Sequence, residues 1–380
     1  MDLASVATAG FSGLDWGSLP QQLANGLMIG AIYALIALGY TMVYGVLRLI
    51  NFAHGEVFML GAYSALLTSW MMGFSAAAMM RMDAGDMKSG PLNLIILILV
   101  AMAVCALVGA VIEFFAYRPM RNQTRIAALI TAIGVSLLLQ YSGQLFLPAN
   151  PPPSIAMQVN PYQAPVTLQL VGAPPEIQQA FEKAETEFLA AKQEDPTSDR
   201  TMELERERNH LEGEVMATSV GITVTVGKII MLVTVLVLMT ILTWIVLKTS
   251  VGRAMRAASH DFDSASLMGI NVNRVVTATF MIGSALAGAG AMMLATFEGT
   301  ALTPFFGLQP GVKAFVAAVL GGIGNIPGAV LGGLLMGLAE TIVVWLGYSN
   351  YKDAVAFVIL IIVLLLRPGG LLGSNKVEKV

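Results

Sequence analysis

The stretch KIIMLVTVLVLMTILTWIVLK, Lys228 to Lys248, decides the fold class of this chain. Its nineteen central residues carry no charge and are rich in Leu, Val and Ile, and a lysine stands at each end. Because a helix rises about 1.5 Å per residue, crossing a hydrocarbon core of about 30 Å takes about 20 residues. The segment therefore predicts a helix that crosses a membrane.

The composition of the whole chain agrees with this segment. Of 380 residues, 56% are apolar and 12% are charged, and the mean hydropathy is +0.74. A soluble domain usually carries charge on about a quarter of its residues. These values exclude a disordered chain, a nucleic-acid-binding protein with a basic face and an ordinary water-soluble enzyme.

Seven further uncharged windows follow the same pattern. The window after Lys313 is broken by GGIGNIPG, Gly321 to Gly328, because four glycines and a proline in eight residues cannot continue a helix. We expect a half-helix there that re-enters and returns to its own side. The prediction is an all-α polytopic membrane protein with about eight transmembrane helices and a re-entrant half-helix. The seven windows lie between Asp15 and Arg48, Glu56 and Arg81, Lys88 and Glu113, Arg125 and about Leu147, Arg274 and Glu298, Lys313 and Glu340, and Asp353 and Arg367.

Lys and Arg predict the orientation, because short loops that keep them face the cytoplasm. The loops 117–125 and 248–274 and the C-terminal tail are rich in Lys and Arg, whereas Asp2 and Asp15 are the only charged side chains before the first window. We therefore expect an outer N-terminus and a cytoplasmic C-terminus. Membrane helices 1 to 4 fall in residues 1–147 and helices 5 to 8 in 228–368, separated by an outer insertion at 148–227 and followed by a cytoplasmic tail at 369–380.

The outer insertion contains a strongly charged segment, Glu176–Val215. It holds twelve acidic and five basic residues, so it carries −7 of a chain whose formal net charge is −3, and the remainder carries +4. Apolar residues recur there at heptad-like spacing on both sides of the turn signal Asp195-Pro-Thr-Ser-Asp199. The pattern predicts a helical hairpin, either a solvated insertion or a partner-binding element.

Sequence signatures of catalysis are absent. The chain has no phosphate-binding Gly-rich loop with its lysine, no His-Glu-x-x-His and no Cys-x-x-Cys, and Cys105 is its one cysteine. We therefore expect no catalytic residue, no metal site and no cofactor bound by this chain. Small residues at a spacing of four instead predict close helix packing, at Gly26–Gly30, Gly328–Gly332 and Gly333–Gly337.

Polar residues inside the membrane windows are the first candidates for a substrate path, because ionisable groups there face a cavity or a partner. The candidates are Asn51, His54 and Glu56 between the first two windows, and Gly322, Gly324 and Asn325 in the Gly-rich break. For His54 and Glu56 a structural role at a helix end is the favoured interpretation. A broken helix at Asn325 would expose N–H groups to a carboxylate, or would be a tightly packed turn. Glu113, Glu298 and Glu340 lie at or near predicted helix ends.

The loop 248–274 is the strongest functional signal. It predicts a short amphipathic helix that ends at Gly269, suited either to docking a cytoplasmic motor or to anchoring at lipid headgroups. We favour docking, with Gly252, Arg253, Arg256, Ala257, Ala258, Leu267 and Gly269 as the candidate contact residues.

Several of these motifs together resemble one known family. The run from Asn25 to Gly45, followed by INFAHGE from Ile50 to Glu56, is similar to the branched-chain amino-acid ABC transporter permeases of the LivH type, the smaller permease subunit of the leucine/isoleucine/valine importer. Further matching runs are Tyr117-Arg-Pro119, Gly252-Arg-Ala-Met-Arg-Ala257, Leu267-Met-Gly-Ile-Asn271, Lys313-Ala-Phe315, Gly321–Gly328 and Tyr351-Lys-Asp353.

The resemblance implies an ABC importer permease fold in a bacterial inner membrane, with 148–227 in the periplasm. It implies a second related permease subunit, two ATPase subunits that use ATP and Mg, and a periplasmic binding protein. It also places the ATPase-contacting loop at Gly252–Gly269. The usual Glu-Ala-Ala of that loop is altered here, because Arg256 precedes Ala257 and Ala258. The family pattern has no counterpart for Glu176–Val215.

Three other functions stay open. The same machinery could import urea or short amides, an ion-coupled carrier or channel could use Glu56, Glu113 or Glu340, and a membrane scaffold could recruit a partner through the hairpin. The docking loop argues against the ion-coupled carrier.

Overall fold

A computed structural model describes most of the chain. The described residues are 16–73, 90–121, 123–149, 162–172, 174–194, 199–218, 220–298 and 302–373. They form two compact units. The first holds the described residues up to Ala24 with 165–224 and 345–347, and the second holds the rest.

The second unit is built from helices. α1 (Leu19–Leu47) begins in the first unit and continues into the second. The helices that follow in chain order are α2 (His54–Met71), α3 (Pro91–Ile112), α4 (Arg125–Phe146), α7 (Val226–Lys248), α8 (Ser250–His260), α9 (Phe262–Leu267), α10 (Val272–Phe297), α11 (Leu308–Gly321), α12 (Ile326–Trp345) and α13 (Ala354–Leu366). A π-helix, Glu113–Tyr117, and one further turn extend α3 to Met120.

The predicted fold class is confirmed. Six of the described helices are long and apolar enough to cross a membrane: α1, α3, α4, α7, α10 and α12. Helices α11 and α13 are shorter, with 14 and 13 residues. Helix α2 has 18 residues, but His54 and Glu56 in its first turn make it more polar. The predicted half-helix corresponds to α11, which ends where the Gly-rich break begins.

The route of the chain around α11 differs from the predicted return to one side. Glu298, just after α10, pairs with Lys228 in the first turn of α7, at 3.0 Å between carboxylate and Nζ. Asn325, just before α12, lines a cavity with Val246 at the opposite end of α7. Between Glu298 and Asn325 the chain therefore traverses the length of α7, about 35 Å. Helix α11, with 14 residues, covers about 21 Å of that distance.

Small residues allow the helices of the second unit to approach closely, as predicted. A Cβ added to Gly30 would lie 2.9 Å from the Cα of Leu334, and one added to Gly337 would lie 2.5 Å from the Cα of Gly30. Helix α10 packs against α2 and α3 in the same way, since a Cβ at Gly288 would lie 2.5 Å from the carbonyl oxygen of Ala101. The glycines thus hold α1 against α12 and α3 against α10.

The first unit contains the charged segment. Helices α5 (Pro175–Glu194) and α6 (Asp199–Thr218) pack together, and strands β1 (Pro165–Val171) and β2 (Val220–Thr225) pair with each other. Ala184 and Phe188 are buried between the helices, on the face that the heptad-like spacing indicates. The turn predicted at Asp195–Asp199 lies largely outside the described residues. The sequence pattern did not predict the two strands.

Candidate functional site

A large cavity of about 1440 Å³ opens where the Gly-rich break meets the ends of three helices. Tyr44 and Arg48 at the end of α1 line one wall, and Val246 at the end of α7 lines another. Helix α8 contributes Arg256 and His260, and the break contributes Gly324 and Asn325. Neither Asp nor Glu occurs among the described lining residues. Two guanidinium groups therefore line the cavity, and the described part of its wall contributes no carboxylate.

Arg48 has an unusual backbone. Its φ of 54° is the only positive value found among the described non-glycine residues. Its N–H donates to the carbonyl of Tyr44 at 2.7 Å, which closes the last turn of α1. Because the left-handed region is costly for a residue with a Cβ, this conformation indicates a position fixed by its surroundings.

The Gly-rich break is held by its own polar groups. The side-chain oxygen of Asn325 accepts from the N–H of Gly328 at 3.1 Å and so caps the start of α12. Its side-chain nitrogen donates to the carbonyl of Leu372 at 2.7 Å. Gly324, at φ 92°, approaches Gly45 of α1 closely. Asn325 thus reaches the cavity as predicted, but its side chain is already engaged.

Gly322 packs against the C-terminal segment. Its φ of 106° requires glycine, and a Cβ there would lie 2.5 Å from the backbone nitrogen of Gly373. Leu371 and Leu372 donate to the carbonyls of Leu320 and Gly321 at 2.8 and 3.0 Å. Unlike Gly324, Gly322 is absent from the lining of the cavity.

Asn51, His54 and Glu56 lie in packed surroundings away from the cavity. Asn51 accepts a hydrogen bond from the hydroxyl of Tyr117 at 3.1 Å. The buried ring of His54 lies edge-on to Tyr40 at 4.6 Å and fills the space opposite Gly39. Glu56 is 2% exposed and accepts from Ser136 at 3.5 Å. These contacts fit a structural role at the start of α2.

The candidate docking loop forms two helices, α8 and α9, instead of the single helix that was predicted. Asp261 interrupts the helix and caps α9. Its carboxylate accepts from the hydroxyl of Ser264 at 2.7 Å and from the N–H of Asp263 at 2.8 Å. These hydrogen bonds, with the Ser264 hydroxyl as the largest contribution, lower the pKa of Asp261. Gly269 follows α9 with φ 84°, as expected of a helix-ending glycine.

The candidate docking residues divide into two groups. Leu267 is 91% exposed and is followed by Met268 at 82%, so α9 presents an apolar tip. Arg253 is also exposed. Gly252 and Ala258 are buried, and a Cβ at Gly252 would overlap the carbonyls at the end of α7. Arg256, beside the half-buried Ala257, donates to one of these carbonyls, that of Val246, and faces the cavity.

Two charge clusters outside the cavity connect the helices. The Nζ of Lys313 in α11 lies 2.6 Å from Glu340 in α12 and 2.7 Å from Asp353 before α13, and Tyr33 of α1 donates to Glu340 at 2.8 Å. Lys313 and Glu340 are each 5% exposed. The sequence indicated Glu340 as a buried acid but gave no sign of its partners, because 27 residues separate it from Lys313.

The second cluster is centred on Glu113 in the π-helix. Its fully buried carboxylate pairs with Arg118 and Arg121, and accepts from the hydroxyl of Thr277 in α10 at 2.6 Å. Burial lowers the pKa of Arg121; the nearby Arg118 adds to this effect and Glu113 opposes it. Arg118 and Arg121, which the sequence assigned to orientation, thus also attach the end of α3 to the start of α10.

The fold defines a polytopic helical membrane protein. Residues 22–364 match the sequence model of a family described as the permease component of the branched-chain amino acid transport system. The chain belongs to this family.

Two relatives illustrate the similarity. The chain is 38% identical over 360 residues to the high-affinity branched-chain amino acid transport system permease protein BraD of Pseudomonas aeruginosa, covering 95% of this chain and 97% of the relative. It is 37% identical over 362 residues to the corresponding protein LivH of Escherichia coli K12, with the same coverage. No solved structure matches the chain.

Proposed function

We propose that this chain is a permease subunit of an ATP-driven importer that carries leucine, isoleucine and valine across the bacterial inner membrane. The observation that carries the proposal is the family match over residues 22–364, because it includes most residues that line the cavity, the Gly-rich break and the loop between α7 and α10. The two relatives, named for branched-chain amino acid transport, support the substrate class.

The proposed orientation places the N-terminus in the periplasm and the C-terminus in the cytoplasm. Opposite termini require an odd number of crossings. The eight helices α1 to α4, α7, α10, α12 and α13, together with the traverse from Glu298 to Asn325, supply nine. Arg48, Arg118 and Arg256 then lie on the cytoplasmic side, in agreement with the positive-inside rule.

The proposed partners are a second related permease subunit, two cytoplasmic ATPase subunits and a periplasmic binding protein. ATP and Mg would be used by the ATPases, so this chain would bind no cofactor. The exposed Leu267 and Met268 support docking, because an apolar tip on a polar loop suits a groove on a partner protein. Substrate would pass between the two permease subunits by alternating access, driven by ATPase closure through α8 and α9.

Uptake in vesicles tests the proposed substrate and energy source. The complex is reassembled from this chain, its permease partner, the ATPases and the binding protein, and the uptake of tritiated leucine is measured with ATP inside. Isoleucine and valine should compete and urea should not. Competition by urea or short amides would favour the rival substrate class. Uptake that persists without ATP but collapses with the ion gradient would contradict the proposal in favour of an ion-coupled carrier.

Docking is tested at the tip of α9. Leu267→Asp and Gly269→Val should each uncouple ATP hydrolysis from uptake, the first by placing a charge in the contact and the second because φ 84° is strained for a β-branched residue. The ratio of phosphate released to leucine imported should rise several-fold. Met202→Asp, at an exposed apolar residue of α6, is the control and should leave this ratio unchanged. Normal coupling in both docking variants would contradict the assignment.

A further inference from the structure

A second, smaller cavity adjoins the large one. It has a volume of about 100 Å³ and shares six lining residues with the large cavity: Gly45, Val246, Arg256, Ser259, Gly324 and Ile326. A single buried water needs roughly 10–15 Å³ measured in this way, so the space exceeds one water site roughly seven- to tenfold. We name it the side pocket, defined by the shared residues together with Thr41, Met42, Val46 and Met255.

Thr41 is the first unusual feature of the side pocket. It is 1% exposed, and its hydroxyl has no hydrogen-bond partner among the described residues. Threonines inside helices commonly donate to the carbonyl four residues earlier, as Thr243 and Thr279 do here at 2.8 Å each. Since buried polar groups are nearly always paired, a polar group that enters the pocket would satisfy the free hydroxyl of Thr41.

Arg256 is the second feature. One of its nitrogens donates to the Val246 carbonyl, which fixes the guanidinium at the end of α7. The Arg256 side chain lines both the side pocket and the large cavity, and its guanidinium has further N–H donors. A guanidinium held in this way suits a carboxylate, which it can bind with two parallel hydrogen bonds.

Apart from Ser259, whose hydroxyl donates to the carbonyl of Arg256 at 2.7 Å, the other side chains of the wall are apolar. Met42 and Val46 come from α1, and Val246, Met255 and Ile326 come from three other helices. A cation, one unpaired hydroxyl and an aliphatic wall in a space of this size match a small molecule with a carboxylate at one end and a branched aliphatic group at the other. A phosphate or a sugar would leave the apolar wall unused.

We propose that the side pocket is a substrate site within this subunit, in which Arg256 binds the carboxylate of a branched aliphatic α-amino acid and Thr41 hydrogen-bonds its polar end. The aliphatic side chain lies against the apolar wall. The inference rests on the proposed function and extends it, because it places a substrate contact at the end of the protein that carries the basic loop. Arg256 then acts as a ligand contact and not as an ATPase contact.

Direct binding tests the proposal. The full-length chain, in complex with its permease and ATPase partners, is purified in detergent without the binding protein, and equilibrium binding of tritiated leucine is measured. 4-Methylpentanoate, which keeps the carboxylate and the branched chain, should compete. Leucinamide, which lacks the carboxylate, should compete at least about tenfold more weakly.

Two variants test the named residues independently. Thr41→Val keeps the shape and removes an unpaired hydroxyl, so the thermal stability should be unchanged or higher while leucine binding weakens about two- to tenfold. Arg256→Gln should weaken binding at least about tenfold. Thr279→Val and Arg274→Gln are the controls. Thr279 is buried in α10 and Arg274 is exposed near its start, and neither lines the pocket, so both should bind leucine as the unmodified chain does.

The outcomes separate the inference from the proposed function. A complex that imports leucine but binds none without the binding protein overturns the side-pocket site and leaves the proposed function standing. Leucine binding that is unchanged in Thr41→Val and in Arg256→Gln also overturns the site. A complex that imports no branched-chain amino acid at all contradicts the proposed function itself. If Arg256→Gln does not fold, leucine binding by Thr41→Val alone tests the site. This variant removes no hydrogen bond that the described residues make, so it should fold.

Discussion

The Lys313 ammonium shows most clearly how a single residue stabilises the second unit. It is 5% exposed and contacts two carboxylates on two different elements, so it connects α11, α12 and the start of α13. Removing one member of a buried charge group leaves the others unpaired in a low-dielectric interior. Helix α11 has only 14 residues, and this cluster fixes it to its neighbours.

Replacing Lys313 should therefore be costly. We expect Lys313→Met to lower the free energy of unfolding by about 3–5 kcal/mol, because Glu340 loses its cation while buried. The double variant Lys313→Met/Glu340→Met should recover most of this loss. The measurement is SDS-induced unfolding of the purified chain in mixed micelles. Lys248→Met, at an exposed end of α7, serves as the control. A single variant as stable as the control would contradict the role given to the cluster.

At the scale of elements, two glycines in helices should respond oppositely to the same substitution. Gly333 in α12 lies against Ala34 of α1 with no room for a Cβ, whereas a Cβ added to Gly134 in α4 would have no atom within 4 Å. We expect Gly333→Ala to destabilise the chain by about 1–3 kcal/mol through overpacking. Gly134→Ala should be neutral or stabilising by up to about 1 kcal/mol. If both variants change the stability in thermal unfolding by the same amount, the contact between α1 and α12 has room for a Cβ at Gly333, contrary to the structure.

The cap of α9 should depend on pH. Because hydrogen bonds to its ionised form lower the pKa of Asp261, the cap is complete at neutral pH and is lost as the pH falls through that lowered pKa. Amide hydrogen exchange at Ser264 and Ala265, corrected for the intrinsic rate, should accelerate in acid. Asp261→Asn should keep its protection in acid, and Asp261→Ala should lose protection at every pH. Acid-insensitive protection in the unmodified chain would contradict the capping role.

At the scale of the whole molecule, the charged hairpin belongs to a separate compact unit. We expect deletion of residues 176–215, bridged by a short Gly/Ser linker, to leave the membrane insertion and thermal unfolding of the helices unchanged. The formal net charge would change from −3 to +4, because the segment carries −7. Leucine uptake then distinguishes a solvated insertion, which leaves the KM unchanged, from a partner-binding element, which raises it. Failure of the deletion variant to insert into the membrane would contradict the separation of the charged hairpin from the membrane helices.

The chain's own sequence determined those features that depend on local pattern. Uncharged windows near 20 residues long fixed the membrane class, Gly321–Gly328 fixed a helix break, and the spacing of Gly333 and Gly337 fixed a close helix contact. Each of these follows from a helix period or a backbone preference that neighbouring residues impose. The sequence did not predict the helix break at Asp261. The cap there depends on the hydrogen bonds of the Asp261 carboxylate, which the pattern of apolar and polar residues does not reveal.

Only the tertiary structure decided which of these residues share a site. The sequence favoured a structural role for His54 and Glu56 and left Asn325 open as a substrate contact or a packed turn. The fold packs Asn51, His54 and Glu56 between helices and brings Asn325 to a cavity with Arg48 and Arg256. Packing also brings Lys313 into contact with Glu340 and Asp353. The same packing leaves the hydroxyl of Thr41 without a hydrogen-bond partner among the described residues. Local sequence fixes a helix and its faces. The neighbours of each face come from segments tens to hundreds of residues apart, and packing alone selects them.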